Sequence, residues 1–221
     1  MHNIDNNGYC IIKKIFTKTE LIQISDLILK NFLKKNKSKI VASNLPLEKI
    51  HNSINATQVK YLSLSYGDEH IHSYIKNLAE TRLESFIPNK VQSPLKFHGS
   101  SSAICVYPSN LSESNISFHQ DDGFKKGNKK FIHAIFPITN QGLDSFQVIE
   151  KTHEIGEFKH TMFGPLLKIP DKELEDYQDQ ITDLKLEFGD MLLFYTPLIH
   201  RVKENHSDMT TWMARFIFNS Q

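Results

Sequence analysis

At 221 residues the chain has the length of one large domain, and its 39% apolar content with 15 phenylalanines supplies a packed core, which excludes a disordered chain. Its 26 Lys and Arg against 25 Asp and Glu leave a net charge of +1, too even for an electrostatic grip on nucleic acid or an anionic membrane. Two cysteines, Cys10 and Cys105, with no CxxC spacing exclude a disulfide framework and a zinc ribbon, so a reducing, cytoplasmic setting is expected.

The N-terminus MHNIDNNGYC is polar and lacks the basic start and apolar run of a signal peptide. GYCIIKKIF (residues 8–16) is β-branched and reads as a short first strand. Thr17 and Thr19 then offer capping hydroxyls to a helix whose Leu21, Ile24, Leu27, Ile28 and Phe32 recur at helical spacing. The lysine-rich residues 34–39 read as a solvated helix end or loop. A second helix is expected over residues 70–87, with Ile71, Tyr74, Ile75, Leu78, Leu83 and Phe86 on one face and Pro88 just past its end.

From residue 91 onward, short aromatic and β-branched runs alternate with turn-forming clusters. Strands are expected at 102–108, 115–121, 130–138, 146–151, 185–189, 191–197, 199–204 and 209–218. The run MLLFYTPLI (191–199) is too short for the roughly 20 residues that cross a bilayer. About eight strands at this spacing point to a jelly roll or a related sandwich. The chain therefore reads as one domain, 1–221, with residues 1–90 as mainly helical support and 91–221 as the β core.

Among 11 histidines, His119 stands out because Asp121 follows two residues later in FHQDDG, so both side chains leave a strand on one face. A carboxylate and an imidazole so placed can share a cation. His200, at the end of an apolar run after the Gly189-Asp190 turn, is the best third ligand. Two His and one carboxylate on one side of a metal form the triad of non-haem Fe(II) oxygenases, with positions left for other ligands. Asp122 reads as a turn cap, and His98, His133, His153 and His206 as ordinary polar residues. Lys125, Lys126, Lys129 and Lys130 crowd the loop after the motif and read as solvated, with contact to an anionic substrate as the alternative.

Residues 97–218 resemble the phytanoyl-CoA dioxygenase-like branch of the Fe(II)/2-oxoglutarate oxygenases. The resemblance rests on KFHGSSSAICVYP, SFHQDDGF, FIHAIFPITNQG with FQVIEKTHEIG, and LEFGDMLLFYTPLIHRVKENHSDMTTWMARFIF, in that order. EKTH at 150–153 stands where the family has its PGSH phrase, and the head NNGYCIIKKIFTKTEL is similar to the family's opening strand and helix.

The resemblance implies a mostly β chain with flanking helices, folded as a double-stranded β-helix, a cupin-like jelly roll. It implies Fe(II) held by His119, Asp121 and His200, with 2-oxoglutarate and O₂ as cosubstrates. The expected reaction hydroxylates a small molecule while 2-oxoglutarate becomes succinate and CO₂. Asp121 argues against halogenation, since related halogenases lack that carboxylate. For the far carboxylate of 2-oxoglutarate the expected partner is Arg215, a guanidinium suited to bidentate pairing. The family places its arginine a few residues earlier, where this chain has Thr211 and Trp212. Thr211, four residues before Arg215, shares its strand face and is expected to add a hydroxyl, while Arg201, next to a ligand, faces the other side. Two other readings stay open: a jelly roll that binds metal or ligand without turnover, and a metal-dependent hydrolase on the same ligand set.

Overall fold

A computed structural model describes residues 4–35, 45–53, 64–65, 69–86, 95–106, 108, 116–121, 131–140, 142–163 and 166–220. The lysine loop after the His-x-Asp motif, and most of the 34–39 stretch, lie outside the described residues.

A short helical turn, α1 (Ile4–Asn7), leads into β1 (Tyr9–Ile12) and the first long helix, α2 (Lys18–Lys35). Thr17 caps α2: its hydroxyl accepts from Glu20 N at 3.3 Å, while its own N–H donates to the Glu20 carboxylate at 2.7 Å. That reciprocal pair satisfies two donors left orphaned at a helix start. Thr19 lies inside the helix. After a 3₁₀ turn (Leu47–Ser53) and the two-residue β2 (Leu64–Ser65) comes α3 (Glu69–Phe86).

The β region runs β3 (Leu95–Val106), β4 (Ile116–His119), β5 (Phe131–Pro137), β6 (Leu143–Ile149), β7 (Thr161–Phe163), β8 (Leu166–Lys168), β9 (Ile181–Leu186), β10 (Met191–Tyr195), β11 (His200–Val202) and β12 (Thr211–Ser220). Seven of the eight expected strands are present near their expected places, while the one expected at 185–189 lies earlier, at Ile181–Leu186, because residues 187–189 form the turn that Asp190 closes. The first expected one begins earlier, at Leu95, because the polar run GSSS is recruited by pairing with β12. The β7–β8 hairpin is additional.

One sheet has the order β1-β10-β5-β12-β3-β2, the other β4-β11-β6-β9. Successive strands β3, β4, β5 and β6, then β10, β11 and β12, alternate between the two sheets, which is the winding of a double-stranded β-helix. Alternation along β12 separates two cores. Trp212, Ala214, Phe216 and Phe218 pack with the buried faces of α2 (Leu21, Ile24, Ile28) and α3 (Ile75, Ala79, Leu83). Met213 instead faces the barrel interior with Ile135, Leu192, Phe146 and Phe194. The helices thus cover the outside of the larger sheet. Tyr74, expected on the buried face of α3, is exposed, and its hydroxyl donates to Gln23 at 2.6 Å; its phenol end finds a polar partner at the rim, and Ala79 is fully buried instead.

The Gly189-Asp190 turn is anchored to the start of the chain. Asp190 is fully buried and accepts from Glu187 N (2.9 Å), Lys14 N (3.0 Å) and Lys13 Nζ (2.7 Å). Gly189 has φ +103°, and a Cβ there would come within 2.9 Å of the Phe16 carbonyl, so glycine is required.

Candidate metal centre

His119 ends β4 and His200 starts β11, and the two pair directly across neighbouring antiparallel strands. Their ring centroids are 4.3 Å apart. Asp121 is turned back toward them by its own N–H, which donates to the Thr196 carbonyl at 3.1 Å. One donor atom from each of His119, Asp121 and His200 lies within 4.8 Å of the others. The sequence-chosen trio therefore converges, although its members come from different strands.

Each imidazole has a fixed tautomer. His119 Nδ1 lies 2.9 Å from the Ser117 carbonyl and His200 Nδ1 lies 2.9 Å from the Leu198 carbonyl. A carbonyl only accepts, so Nδ1 carries the proton in both rings and each Nε2 keeps its lone pair for the centre. Those Nε2 atoms face Asp121, at 3.7 Å from Oδ1 for His119 and 3.5 Å from Oδ2 for His200. His200 is walled by Phe146, stacked at 5.5 Å, and Phe194 at 4.7 Å. Burial, with the neighbouring His119, pushes the His200 pKa down to about 3. Burial pushes the Asp121 carboxyl up, but the attraction of His133, His200 and His119 outweighs it and holds the group well below the usual carboxylate range.

Neutral imidazole and ionised carboxylate are the protonation states a divalent metal requires. Asp121 Oδ2 is buried with no hydrogen-bond partner among the described residues, an arrangement that costs stability unless a cation or donor meets it. The donor set of two imidazoles and one carboxylate fits non-haem Fe(II) and leaves one side open.

Three residues that sequence reasoning passed over hold this geometry. Gln120, 1% exposed, donates from Nε2 to the Gly156 (2.8 Å) and Pro197 (2.7 Å) carbonyls and accepts from Phe158 N at 2.9 Å. It ties the His-x-Asp turn to the turn before His200. Thr152, in the EKTH phrase, is fully buried; its hydroxyl donates to Ile149 O at 2.7 Å and accepts from Ile199 N at 3.0 Å, fixing the backbone beside His200. The third is His133 on β5, whose Nδ1 lies 2.9 Å from Asp121 Oδ2. A partly buried fourth imidazole, His160, accepts from Gln120 N at 3.1 Å, and burial lowers its pKa.

Arg215 and Thr211 lie on the β12 face that Met213 turns to the barrel interior. Ile217 pairs with His133 and Arg215 with Ile135, so Arg215 sits one rung from the triad's level and Thr211 two rungs farther off. Among the described residues Arg215 has no ion-pair partner. Neither residue touches the triad. Arg201 faces the opposite side of β11: its guanidinium sits 4.3 Å over the Phe118 ring and donates to Gln147. It lines an outer cleft of about 430 Å³ with Lys168, Lys203, Asp171 and Glu204, whose lysines are already paired with Asp171 and Asp183. No helix among the described residues is long and apolar enough to cross a membrane.

Against known proteins, the phytanoyl-CoA dioxygenase family profile matches residues 4–211. No curated protein matches the chain. Among solved structures, EvdO2 from Micromonospora carbonacea var. aurantiaca, complexed with 2-oxoglutarate, is 10% identical with a TM-score of 0.68 over 99% of this chain and 89% of that one. EctD from S. alaskensis with 2-oxoglutarate and 5-hydroxyectoine is 15% identical, TM-score 0.63, over 99% and 74% of the two chains. The non-heme alpha ketoglutarate dependent carbocyclase SnoK from nogalamycin biosynthesis is 14% identical, TM-score 0.61, over 98% and 81%. At these identities the likeness is one of fold.

Proposed function

The chain belongs to the phytanoyl-CoA dioxygenase family, and from that membership we propose that it is an Fe(II)/2-oxoglutarate-dependent dioxygenase that hydroxylates a small-molecule substrate. The single domain, residues 1–221, carries the whole site. The observation behind this reading is the convergence of His119, Asp121 and His200 to within 4.8 Å, with a neutral His200 and an ionised Asp121. Support also comes from the 2-oxoglutarate in the EvdO2 and EctD structures, whose fold this chain shares.

In this reading His119 Nε2, His200 Nε2 and one Asp121 oxygen hold Fe(II) and confine protein ligands to one side. Iron bound there would supply the oxidising power together with 2-oxoglutarate and O₂, with succinate and CO₂ as coproducts. The chain's own part is to bind, orient and keep water out. Phe146 and Phe194 hold the His200 ring, and Ile135, Leu192 and Met213 line the interior beside Arg215. Arg215 meets the far carboxylate of 2-oxoglutarate, with Thr211 adding a hydroxyl from the same face. The lysines at 125, 126, 129 and 130, which follow the His-x-Asp motif in sequence, suit a substrate with an anionic group.

An anaerobic titration of the Fe(II)-loaded protein with 2-oxoglutarate tests the proposal. A weak visible charge-transfer band and, on admitting air, stoichiometric succinate are expected. Neither band nor succinate would leave a binding protein or a hydrolase, and activity without O₂ would select the hydrolase. Mass analysis of the product distinguishes hydroxylation from the ring closure named for SnoK.

A further inference from the structure

His133 interrupts the apolar strand FIHAIFP, every residue of which is buried. Its side chain is 2% exposed and turned into the barrel, edge-on to Phe194 with centroids 5.2 Å apart. A buried imidazole in an otherwise apolar strand carries a desolvation cost unless its nitrogens are used. Nδ1 lies 2.9 Å from Asp121 Oδ2, off the line of a good hydrogen bond, and neither atom has another partner among the described residues. Among the described residues His133 Nδ1 is the nitrogen nearest to Oδ2, with His200 Nε2 farther off at 3.5 Å.

We propose that His133 is a positioning residue for the metal centre: its Nδ1–H holds Asp121 Oδ2, so that Asp121 presents Oδ1 alone to the metal. This rests on the ligand set given under Proposed function. His119 and His200 receive their orientation from the Ser117 carbonyl of the smaller sheet and the Leu198 carbonyl of the turn before β11, and His133 gives Asp121 the same service from the larger sheet. The carboxylate is thereby kept from chelating with both oxygens, which would occupy a position meant for a cosubstrate. Partners of this kind change metal affinity by about 10- to 100-fold when removed.

The test measures Co(II) binding to the full-length protein, by chelator competition and by the visible Co(II) spectrum, with metal-free thermal unfolding recorded alongside. His133→Phe keeps the ring packing against Phe194 and removes the donor; a 10- to 100-fold loss of Co(II) affinity with an altered spectrum is expected. His133→Asn restores an N–H near the position of Nδ1 and should recover most of the affinity and the wild-type spectrum. Wild-type affinity and spectrum in His133→Phe would overturn the proposal, as would an Asn variant no better than Phe while both fold. His119→Ala separates the two claims: if it still binds Co(II) like wild type, the ligand set itself is wrong, whereas loss there beside a normal His133→Phe sinks only the role of His133.

Discussion

The Gln120 side chain donates to the Pro197 carbonyl at 2.7 Å, joining the turn that carries two members of the triad to the turn that delivers the third. The middle residue of the His-x-Asp motif is thus a tie between two loops 77 residues apart in sequence.

Gln120 is 1% exposed and makes three side-chain hydrogen bonds, so Gln120→Leu takes that partner from two carbonyls and one N–H. Each buried group so orphaned costs about 1 to 3 kcal/mol. Urea unfolding should show a loss in that range or somewhat above it. Gln120→Glu should be no better at neutral pH, because a carboxylate has no donor for Gly156 and Pro197. Equal stability of the Glu variant and wild type would contradict the assignment of those bonds.

Replacing His119, Asp121 or His200 singly by Ala should abolish Fe(II)-dependent succinate formation while circular dichroism stays close to wild type. The pairing of His119 with His200 and the Asp121 bond to Thr196 run through backbone atoms, which alanine keeps. Full iron-dependent turnover in any one variant would remove that residue from the ligand set.

Arg215→Ala should raise the 2-oxoglutarate requirement by roughly one to three orders of magnitude, since losing one partner of a buried charged pair costs about 2 to 5 kcal/mol. Arg201→Ala is the control, because that guanidinium lies over Phe118 on the outer face. Steady-state kinetics in 2-oxoglutarate separates the two. A larger effect at Arg201 would mean that the far carboxylate is not bound inside the barrel.

The metal-free protein should lose stability as it is acidified. His200 titrates near 3 when folded, because of its burial, and near 6.5 when unfolded, so between those values only the unfolded chain takes up the proton. Stability from this group is complete above pH 6.5 and falls by about 1.4 kcal/mol per pH unit below it. Asp121, whose pKa is depressed by its three histidines against the pull of burial, adds a second loss that begins below its ordinary value of 3.8. Denaturant unfolding of wild type and His200→Gln between pH 7 and 4 should give a shallower slope in the variant; parallel slopes would show that His200 is not buried in neutral form.

The architecture was legible because β5, β10 and β12 are mostly apolar runs with turn residues nearby, and because α2 repeats its leucines and isoleucines at helical spacing. His119, Asp121 and His200 were legible from residue type and local setting. The β7–β8 hairpin was not: its strands have three residues each, and Met162 stands 67% exposed, so no alternation marks them. His133 was passed over because both faces of β5 are buried, which erases the period-two contrast that would have shown the ring to point inward. Thr152 and Gln120 act through bonds to residues 47 and 77 positions away, information that no local window contains. Tyr74 fits the apolar stripe of α3 by spacing, yet lies where that stripe meets solvent.

The placement of β1 has a consequence for how the protein behaves in a crowded solution. Without Tyr9–Ile12, the run Met191–Tyr195 would be the outermost strand of the larger sheet, an apolar ribbon with a free row of peptide groups. Such a ribbon recruits strands from other molecules. The first strand takes that place, and it is held there at Tyr9 by Glu150 (2.8 Å) and at Asn7 O by Lys151 N (3.1 Å). The strand Tyr9–Ile12 is therefore a guard against self-assembly, and its loss should announce itself first as turbidity and only afterwards as a change in chemistry.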